Sequence, residues 1–178
     1  MDPNIEVVFD ADAIAARIKS LADIINQDYA DTRELVLVCI LKGAAIFAAD
    51  LLRKIRIPCR LEFMAVSSYE DFASSNTVQI LLDLKHDIAG TDVLLVEDIL
   101  DTGLTLKKIH EMLKNRSPKS LKTVCLLKKH NQKICVNIEY VGFELHRDMF
   151  VIGYGMDYAE RYRELDYIGA FRNIEQSP

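Results

Sequence analysis

Between Val93 and Leu106 the chain reads VLLVEDILDTGLTL, and this run limits the possible folds more than any other. Four apolar residues, Val93 to Val96, lead into an acidic pair, Glu97 and Asp98. After Ile99 and Leu100 come Asp101, Thr102, Gly103, Leu104 and Thr105, and then a helical pattern. An unbroken apolar run reads as a strand buried on both faces, as in a parallel sheet. Here the strand is expected to end in carboxylates and a small, hydroxyl-rich turn at a helix N-terminus. The first N–H groups of a helix lack partners within it and carry the positive end of its dipole, so such a turn binds phosphate. Three carboxylates beside a phosphate would repel it unless they serve sugar hydroxyls, a divalent cation, or a base that must lose a proton. The combination points to a phosphorylated sugar.

The flanking segments repeat the alternation of strand and helix. Asp10 is placed to cap a helix carrying Ile14, Ile18, Leu21, Ile24 and Ile25 on one stripe. Glu34 to Leu41 (ELVLVCIL) reads as a buried strand, broken by Lys42 and Gly43, and AAIFAADLLRKI then reads as a helix that stops before Pro58. Leu61 to Val66 and Val78 to Leu84 read as strands, separated by the polar, aperiodic stretch Ser67 to Asn76. The helix after the phosphate turn carries Leu106, Ile109 and Leu113 on one face, and Leu121–Leu127, Ile138–Phe143 and Phe150–Tyr154 are three further strands. The tail from Ala159 to Ile174 is mixed, with room for a short helix or an oligomer contact. Strands alternating with helices over the first two-thirds predict an α/β fold with a mainly parallel sheet. No repeat or linker divides the 178 residues, so one domain over residues 1–178 is expected.

Composition narrows the partners. A net charge of −5 argues against a nucleic-acid surface. The four cysteines, Cys39, Cys59, Cys125 and Cys135, show no CxxC spacing, and Cys39 and Cys125 lie within apolar runs, which suits reduced, buried thiols. No signal-peptide pattern opens the chain and no apolar run is long enough to span a membrane, so a cytoplasmic protein is expected.

In an open parallel sheet, ligands gather at the carboxyl ends of strands where the strand order reverses. Lys42 and Gly43 follow one strand, Glu97 and Asp98 a second, Lys128 and Lys129 a third, and Asp157 the strand Phe150–Tyr154. Each alone is an ordinary turn or solvated-loop residue. Together they describe a site built along one sheet edge.

These residues resemble a known family. EDILDTGLTL is similar to the ribose-phosphate signature of the type I phosphoribosyltransferases, and the chain from about Val36 to Leu165 resembles their hypoxanthine–guanine branch. Five separated segments carry the likeness in order: LKG at Leu41–Gly43, SSY at Ser67–Tyr69, EDILDTGLT, LLKK at Leu126–Lys129, and FVIGYGMDYAERYREL from Phe150 to Leu165. The resemblance implies that fold, a mainly parallel central sheet flanked by helices with a small hood region. It implies a purine salvage enzyme that transfers 5-phosphoribosyl from phosphoribosyl diphosphate to hypoxanthine, with guanine as a further acceptor. The products would be IMP or GMP and pyrophosphate, with Mg²⁺ as cofactor and a homodimer or homotetramer as the assembly.

It also implies roles, position by position. Asp101 matches the general acid/base that handles the proton on purine N7. Glu97 and Asp98 match the pair facing the ribose hydroxyls and their metal, and Asp157 matches a second metal ligand. Thr102, Gly103, Leu104 and Thr105 match the 5′-phosphate cradle, Leu104 acting through its backbone N–H. Leu41, Lys42 and Gly43 match the pyrophosphate loop, with a non-proline cis peptide before Lys42, and Arg163 matches a second pyrophosphate ligand, its fork suited to paired oxygens. Lys128 matches the lysine that donates to purine O6, with Lys129 as the alternative; Phe150 matches the aromatic that stacks on the base and Val151 a backbone contact to its edge. Ser68 and Tyr69 head a loop that closes over the site and excludes water. Two other classes compete. A regulatory protein on the same fold would be expected to have lost Asp101 or to carry a basic face. A plain nucleotide-binding domain would not need Lys42, Asp101, Lys128, Asp157 and Arg163 in order.

Overall fold

Strand alternation organises the core. Residues 4–68, 78–130, 136–147 and 149–172 are described by the structure, a computed structural model. In β2 (Leu35–Leu41), Leu35, Leu37 and Cys39 join one buried cluster while Val36, Val38 and Ile40 join another. β5 (Asp92–Leu100) begins the same way, with Leu94 and Val96 in the first cluster and Val93 and Leu95 in the second. Successive side chains of a strand point to opposite faces, so a continuously apolar strand needs cover on both. α1 (Ala11–Asp28) and α2 (Ala45–Leu52) cover the first face through Ile14, Ile18, Leu21, Ile25, Phe47 and Leu51. α3 (Leu104–Lys114) covers the second through Leu106, Ile109 and Leu113. Each such side chain stabilises the fold by roughly 1.5–3 kcal/mol on burial. Asp10 caps α1, its Oδ1 accepting from the Ala13 N–H at 2.8 Å.

The remaining strands of this sheet are β3 (Cys59–Ser68), β4 (Val78–Leu82), β6 (Ser120–Lys129) and β7 (Tyr140–Leu145). Their order is β4-β3-β2-β5-β6-β7, parallel throughout except for the antiparallel edge strand β4. Connection runs one way from β2 to β3 and the other way from β5 to β6 and β7, so the order reverses between β2 and β5. The carboxyl ends of those two strands therefore flank the crevice in which α/β sheets bind ligands. A second, antiparallel sheet joins β1 (Ile5–Phe9), β9 (Ile168–Phe171) and β8 (Val151–Ile152) in the order β1-β9-β8. It has its own small cluster of Ile5, Ile152 and Tyr167 and forms the hood. Among the described residues no helix is long and apolar enough to cross a membrane.

Several sequence expectations are corrected. β5 does not stop at Val96 but continues through Glu97 and Asp98 to Leu100, because Glu97, Ile99 and Leu100 pair with Cys125, Leu127 and Lys128 of β6. Lys128 and Lys129 end β6 instead of following it. Ile24 is exposed, and Ala22 takes its place on the buried stripe of α1. Ser67 and Ser68 belong to β3, not to a loop. Only Val151 and Ile152 of the stretch Phe150–Tyr154 form a strand, and the tail supplies a strand, β9, where a helix was allowed. The loop beyond Ser68, Tyr69 included, and the side chain of Ser68 lie outside the described residues.

At the opposite, amino-terminal edge of the sheet a polar clamp holds three parallel strands. Asp92 opens β5 and is buried; its carboxylate accepts from Thr32 Oγ1 (3.1 Å), Lys119 Nζ (2.8 Å) and Ser120 Oγ (2.7 Å). Burial pushes the carboxyl up, but the bonds from Lys119, Ser120 and Thr32 outweigh it and hold it below its ordinary value. A depressed carboxyl contributes stability that is present above the unfolded-state pKa and is lost as pH falls through the folded one. Asp92→Ala is expected to lower the unfolding free energy by about 2 kcal/mol at neutral pH. That cost should shrink below about pH 4. Urea titrations at both pH values check this, and an equal cost at each would remove the linkage.

Candidate active site

β5 delivers its acidic pair to the crevice and then turns into α3. Gly103 is the helix N-cap, and its φ of 74° is a left-handed conformation that glycine adopts without penalty. No side chain caps α3. Asp101 is therefore not a cap, and the nearest hydroxyl, Thr102 Oγ1, stands 3.5 Å from the Leu104 N–H. The first-turn N–H groups and the positive end of the helix dipole are left to an anion.

One carboxylate beside this turn is short of a partner. Glu97 Oε2 is shut off from solvent and has no hydrogen-bond partner. Burial, and next the charge of Asp98, push the Glu97 carboxyl well above the usual range. Burial raises Asp98 too, against a downward pull from two backbone N–H groups and the Arg163 charge. A methyl group on Gly43 would overlap the Asp98 carboxylate, so the β2–α2 turn packs directly on it. A half-buried pair of carboxylates, with an unpartnered oxygen on Glu97, suits a hard divalent cation or sugar hydroxyls.

A cavity of about 220 Å³ opens next to the acidic pair, lined by Asp98, Ile99, Asp101, Lys129, Met149, Phe150, Val151, Met156 and Asp157. Lys129 Nζ lies 3.4 Å from Asp101 Oδ2. Phe150 is 52% exposed and meets Tyr158 edge-on at 5.8 Å between ring centroids. Val151 is buried in the wall. Lys128 is elsewhere, its Nζ 3.2 Å from Glu144 Oε1 on β7.

On the other side of Asp98 lies a cationic corner. The Leu41–Lys42 peptide is cis. Gly155, with φ at 100°, packs so closely on the Gly43 carbonyl that a Cβ there would overlap it. This contact sets the Lys42 loop against the segment 155–163. Arg163 donates from Nη1 to the Gly155 carbonyl (2.8 Å), and its Nη2 is 2.8 Å from Asp157 Oδ1 and 3.2 Å from Glu160 Oε1. Lys42 Nζ donates to Glu160 Oε2 at 2.7 Å. The uncapped turn, the carboxylates, the aromatic cavity and the cationic corner thus adjoin along one edge. A wider surface depression of about 900 Å³, lined in part by α1, carries no such combination.

The model of the phosphoribosyl transferase domain matches residues 4–161. The chain belongs to the phosphoribosyl transferase family. A hypoxanthine-guanine phosphoribosyltransferase of Dictyostelium discoideum is 47% identical over 172 residues, covering 94% of this chain and 95% of that one. A hypoxanthine phosphoribosyltransferase of Salmonella typhimurium is 45% identical, with 95% and 96% covered. Among solved structures, that of Trypanosoma cruzi hypoxanthine phosphoribosyltransferase, a lysine-to-arginine variant complexed with the product IMP, superposes with a TM-score of 0.90 at 42% identity, covering 97% of this chain and 94% of that one. These relatives place the chain in the hypoxanthine–guanine branch of the family.

Within this phosphoribosyl transferase fold, the sequence-predicted residues fall into the turn that opens α3 (Thr102–Thr105), the acidic pair, the cavity (Asp101, Phe150, Val151, Asp157) and the cationic corner (Leu41–Gly43, Arg163). Lys128 is the exception. Its partner in β7 is Glu144 and its partner in β5 is Leu100, whose side chain joins the α3-side cluster. Lys129 is one residue on and points to the other face, with the cavity. Period-two alternation carried this signal, but only with knowledge of which face holds the site. Glu160 carries no signal of its own in the sequence, because an acid next to arginines on a tail segment looks like a solvated turn.

The raised Glu97 carboxyl has a stability consequence. A carboxyl held above its ordinary value binds its proton more tightly in the folded state, so stability falls as pH rises from the ordinary value through the raised one. Glu97→Gln is therefore expected to raise the unfolding free energy at neutral pH by about 1 kcal/mol, a gain typical of relieving a strained functional site. The gain should shrink toward pH 4–5, near the ordinary glutamate range. Denaturant midpoints at the two pH values decide it, and a destabilised variant at pH 7 would be the contrary result.

Proposed function

We propose that this protein transfers the 5-phosphoribosyl group of phosphoribosyl diphosphate to hypoxanthine, with guanine as a further acceptor, forming IMP or GMP and pyrophosphate in purine salvage. The observation that carries the reading is the cavity in which Asp101, Lys129 and Phe150 stand together beside the uncapped N-terminus of α3. It is a site for a flat, polar-edged ring next to a site for a phosphate.

The roles follow from chemistry. The Leu104 and Thr105 N–H groups, with the Thr102 and Thr105 hydroxyls and the close approach allowed by Gly103, hold the 5′-phosphate. Glu97 and Asp98 face the ribose hydroxyls. Lys42, in the turn with Leu41 and Gly43, and Arg163 bind the diphosphate, which leaves as the bond to the sugar C1 breaks. Phe150 stacks on the base. Lys129, not Lys128, donates to O6; an ammonium has no acceptor, so adenine with its amino group is excluded. Val151 meets the base edge through its backbone. Asp101 takes the proton from N7 as the new bond forms. Glu97, Asp98 and Asp157 supply the oxygen donors for Mg²⁺, which when bound neutralises charge on the leaving diphosphate. Ser68 and Tyr69 are assigned to the loop over the site on the resemblance alone. The same reading implies a self-associating enzyme of the cytoplasm.

Steady-state assays of hypoxanthine, guanine, xanthine and adenine with phosphoribosyl diphosphate and Mg²⁺ test the reaction. Turnover of hypoxanthine but not adenine is expected, and Asp101→Asn should retain phosphoribosyl diphosphate binding while losing at least about 100-fold in kcat. Activity with adenine alone, or an unimpaired Asp101→Asn, sinks the assignment. The two lysines separate in a second comparison. Lys129→Ala is expected to weaken base binding about tenfold or more, the scale of a lost hydrogen bond to a charged group. Lys128→Ala should alter the KM for hypoxanthine less than about twofold, as for an exposed ion pair. The reverse order would return the base-reading role to Lys128.

A further inference from the structure

The cationic corner holds a carboxylate of its own. Glu160 stands on the segment between Asp157 and Arg163, with its backbone in the left-handed region at φ 64°. The turn is closed by reciprocal bonds between Tyr158 and Arg161, each 3.1 Å, and by the Glu160 N–H donating to Asp157 Oδ2 at 2.9 Å. These bonds aim the side chain at the two cations. Glu160 Oε2 accepts from Lys42 Nζ at 2.7 Å, and Oε1 lies 3.2 Å from Arg163 Nη2. A single carboxylate thereby bridges the two residues assigned above to the diphosphate. Both Lys42 (67%) and Glu160 (65%) side chains are largely exposed. Hydrogen bonding to Lys42, then its charge, holds the Glu160 carboxyl below its ordinary value.

We infer that Glu160 competes with the diphosphate of the substrate for Lys42 and Arg163, so that it sets how tightly phosphoribosyl diphosphate and pyrophosphate are held. The inference rests on the proposed reading of this corner as the diphosphate site. Its physical basis is like-for-like exchange. A carboxylate offers two anionic oxygens to a lysine and an arginine fork, as a phosphate group does, but with less charge. An exposed ion pair is weak and screened, so a multiply charged diphosphate displaces it. The freed carboxylate stays tethered beside the corner and returns when pyrophosphate departs. Glu160 thus weakens ground-state binding of both anions and favours product release, without touching the base or the sugar C1.

The test compares the full-length enzyme with its Glu160→Gln and Glu160→Ala forms. Measured are the KM for phosphoribosyl diphosphate, the inhibition constant of inorganic pyrophosphate with Mg²⁺, and the KM for hypoxanthine. Both variants are expected to lower the first two together by about threefold, the scale on which exposed ion pairs act. The KM for hypoxanthine should stay put, and the wild-type difference should narrow in high salt. Unchanged or raised constants for both anions in both variants overturn the inference and make Glu160 a structural or binding residue. Calorimetric titration with Mg²⁺ and inorganic pyrophosphate reads the competition without turnover. If wild-type protein fails to turn over hypoxanthine yet Glu160→Gln binds pyrophosphate more tightly, the proposed reaction fails and the competition stands. Equal pyrophosphate affinity in the three proteins rejects the competition whatever the turnover.

Discussion

The parallel pairing of β2 with β5 is the constraint on which the rest depends. Leu35 to Cys39 lie register-to-register against Asp92 to Val96, each side chain buried on one face or the other. Two such strands need helices on both sides, which α1, α2 and α3 provide. Because chain order reverses at this pair, the turns that leave the two strands diverge and open a crevice. Lys42 and Gly43 leave one strand into it, and Asp101 to Gly103 leave the other, just beyond Glu97 and Asp98. The Asp92 clamp at the far end anchors β5 and the start of β6, so the edge that carries the candidate site is set by apolar packing and by polar bonds remote from it.

Charge is then distributed to avoid the conflict that the acidic motif presents. The groups suited to anions lie at two ends: backbone N–H groups at the start of α3, and Lys42 with Arg163 in the corner against Gly43 and Gly155. Between them lie Glu97 and Asp98, half-buried and raised in pKa. Leaving charged oxygens under-satisfied costs folding free energy, and functional sites are where such costs persist. The hood adds what the main sheet lacks, an aromatic face. Phe150, Tyr158, Phe171 and Tyr162 form a run of edge-to-face contacts that carries the hood's packing to the cavity mouth.

Much of this was legible from residue order, and the errors are instructive. The stripe Leu106, Ile109, Leu113 and the buried strands were readable because helix and strand periods are local properties. The end of β5 was not. Glu97 and Asp98 look like a strand terminus, and only pairing with β6 draws them into the ladder. Lys128 and Lys129 are chemically identical neighbours, and a one-residue choice reverses the face. The hood was implied by the resemblance, and β8 fell within the strand read at Phe150–Tyr154, but β1 and β9 and their pairing with it escaped, since these strands are short and come from positions 5, 151 and 168, which no local pattern connects.

By itself the sequence determined the α/β class, the glycine turn into α3 and the chemical types gathered near it, because unbroken apolar runs, a glycine before a helix and clustered carboxylates act through local backbone geometry and solvation. Tertiary structure alone decided which lysine lines the cavity, that Asp101 pairs with Lys129 instead of capping α3, and that Glu160 reaches Lys42 from 118 residues away. The reason is physical: those outcomes depend on strand register and on the contact of two glycine backbones, Gly43 and Gly155, whose partners are distant along the chain.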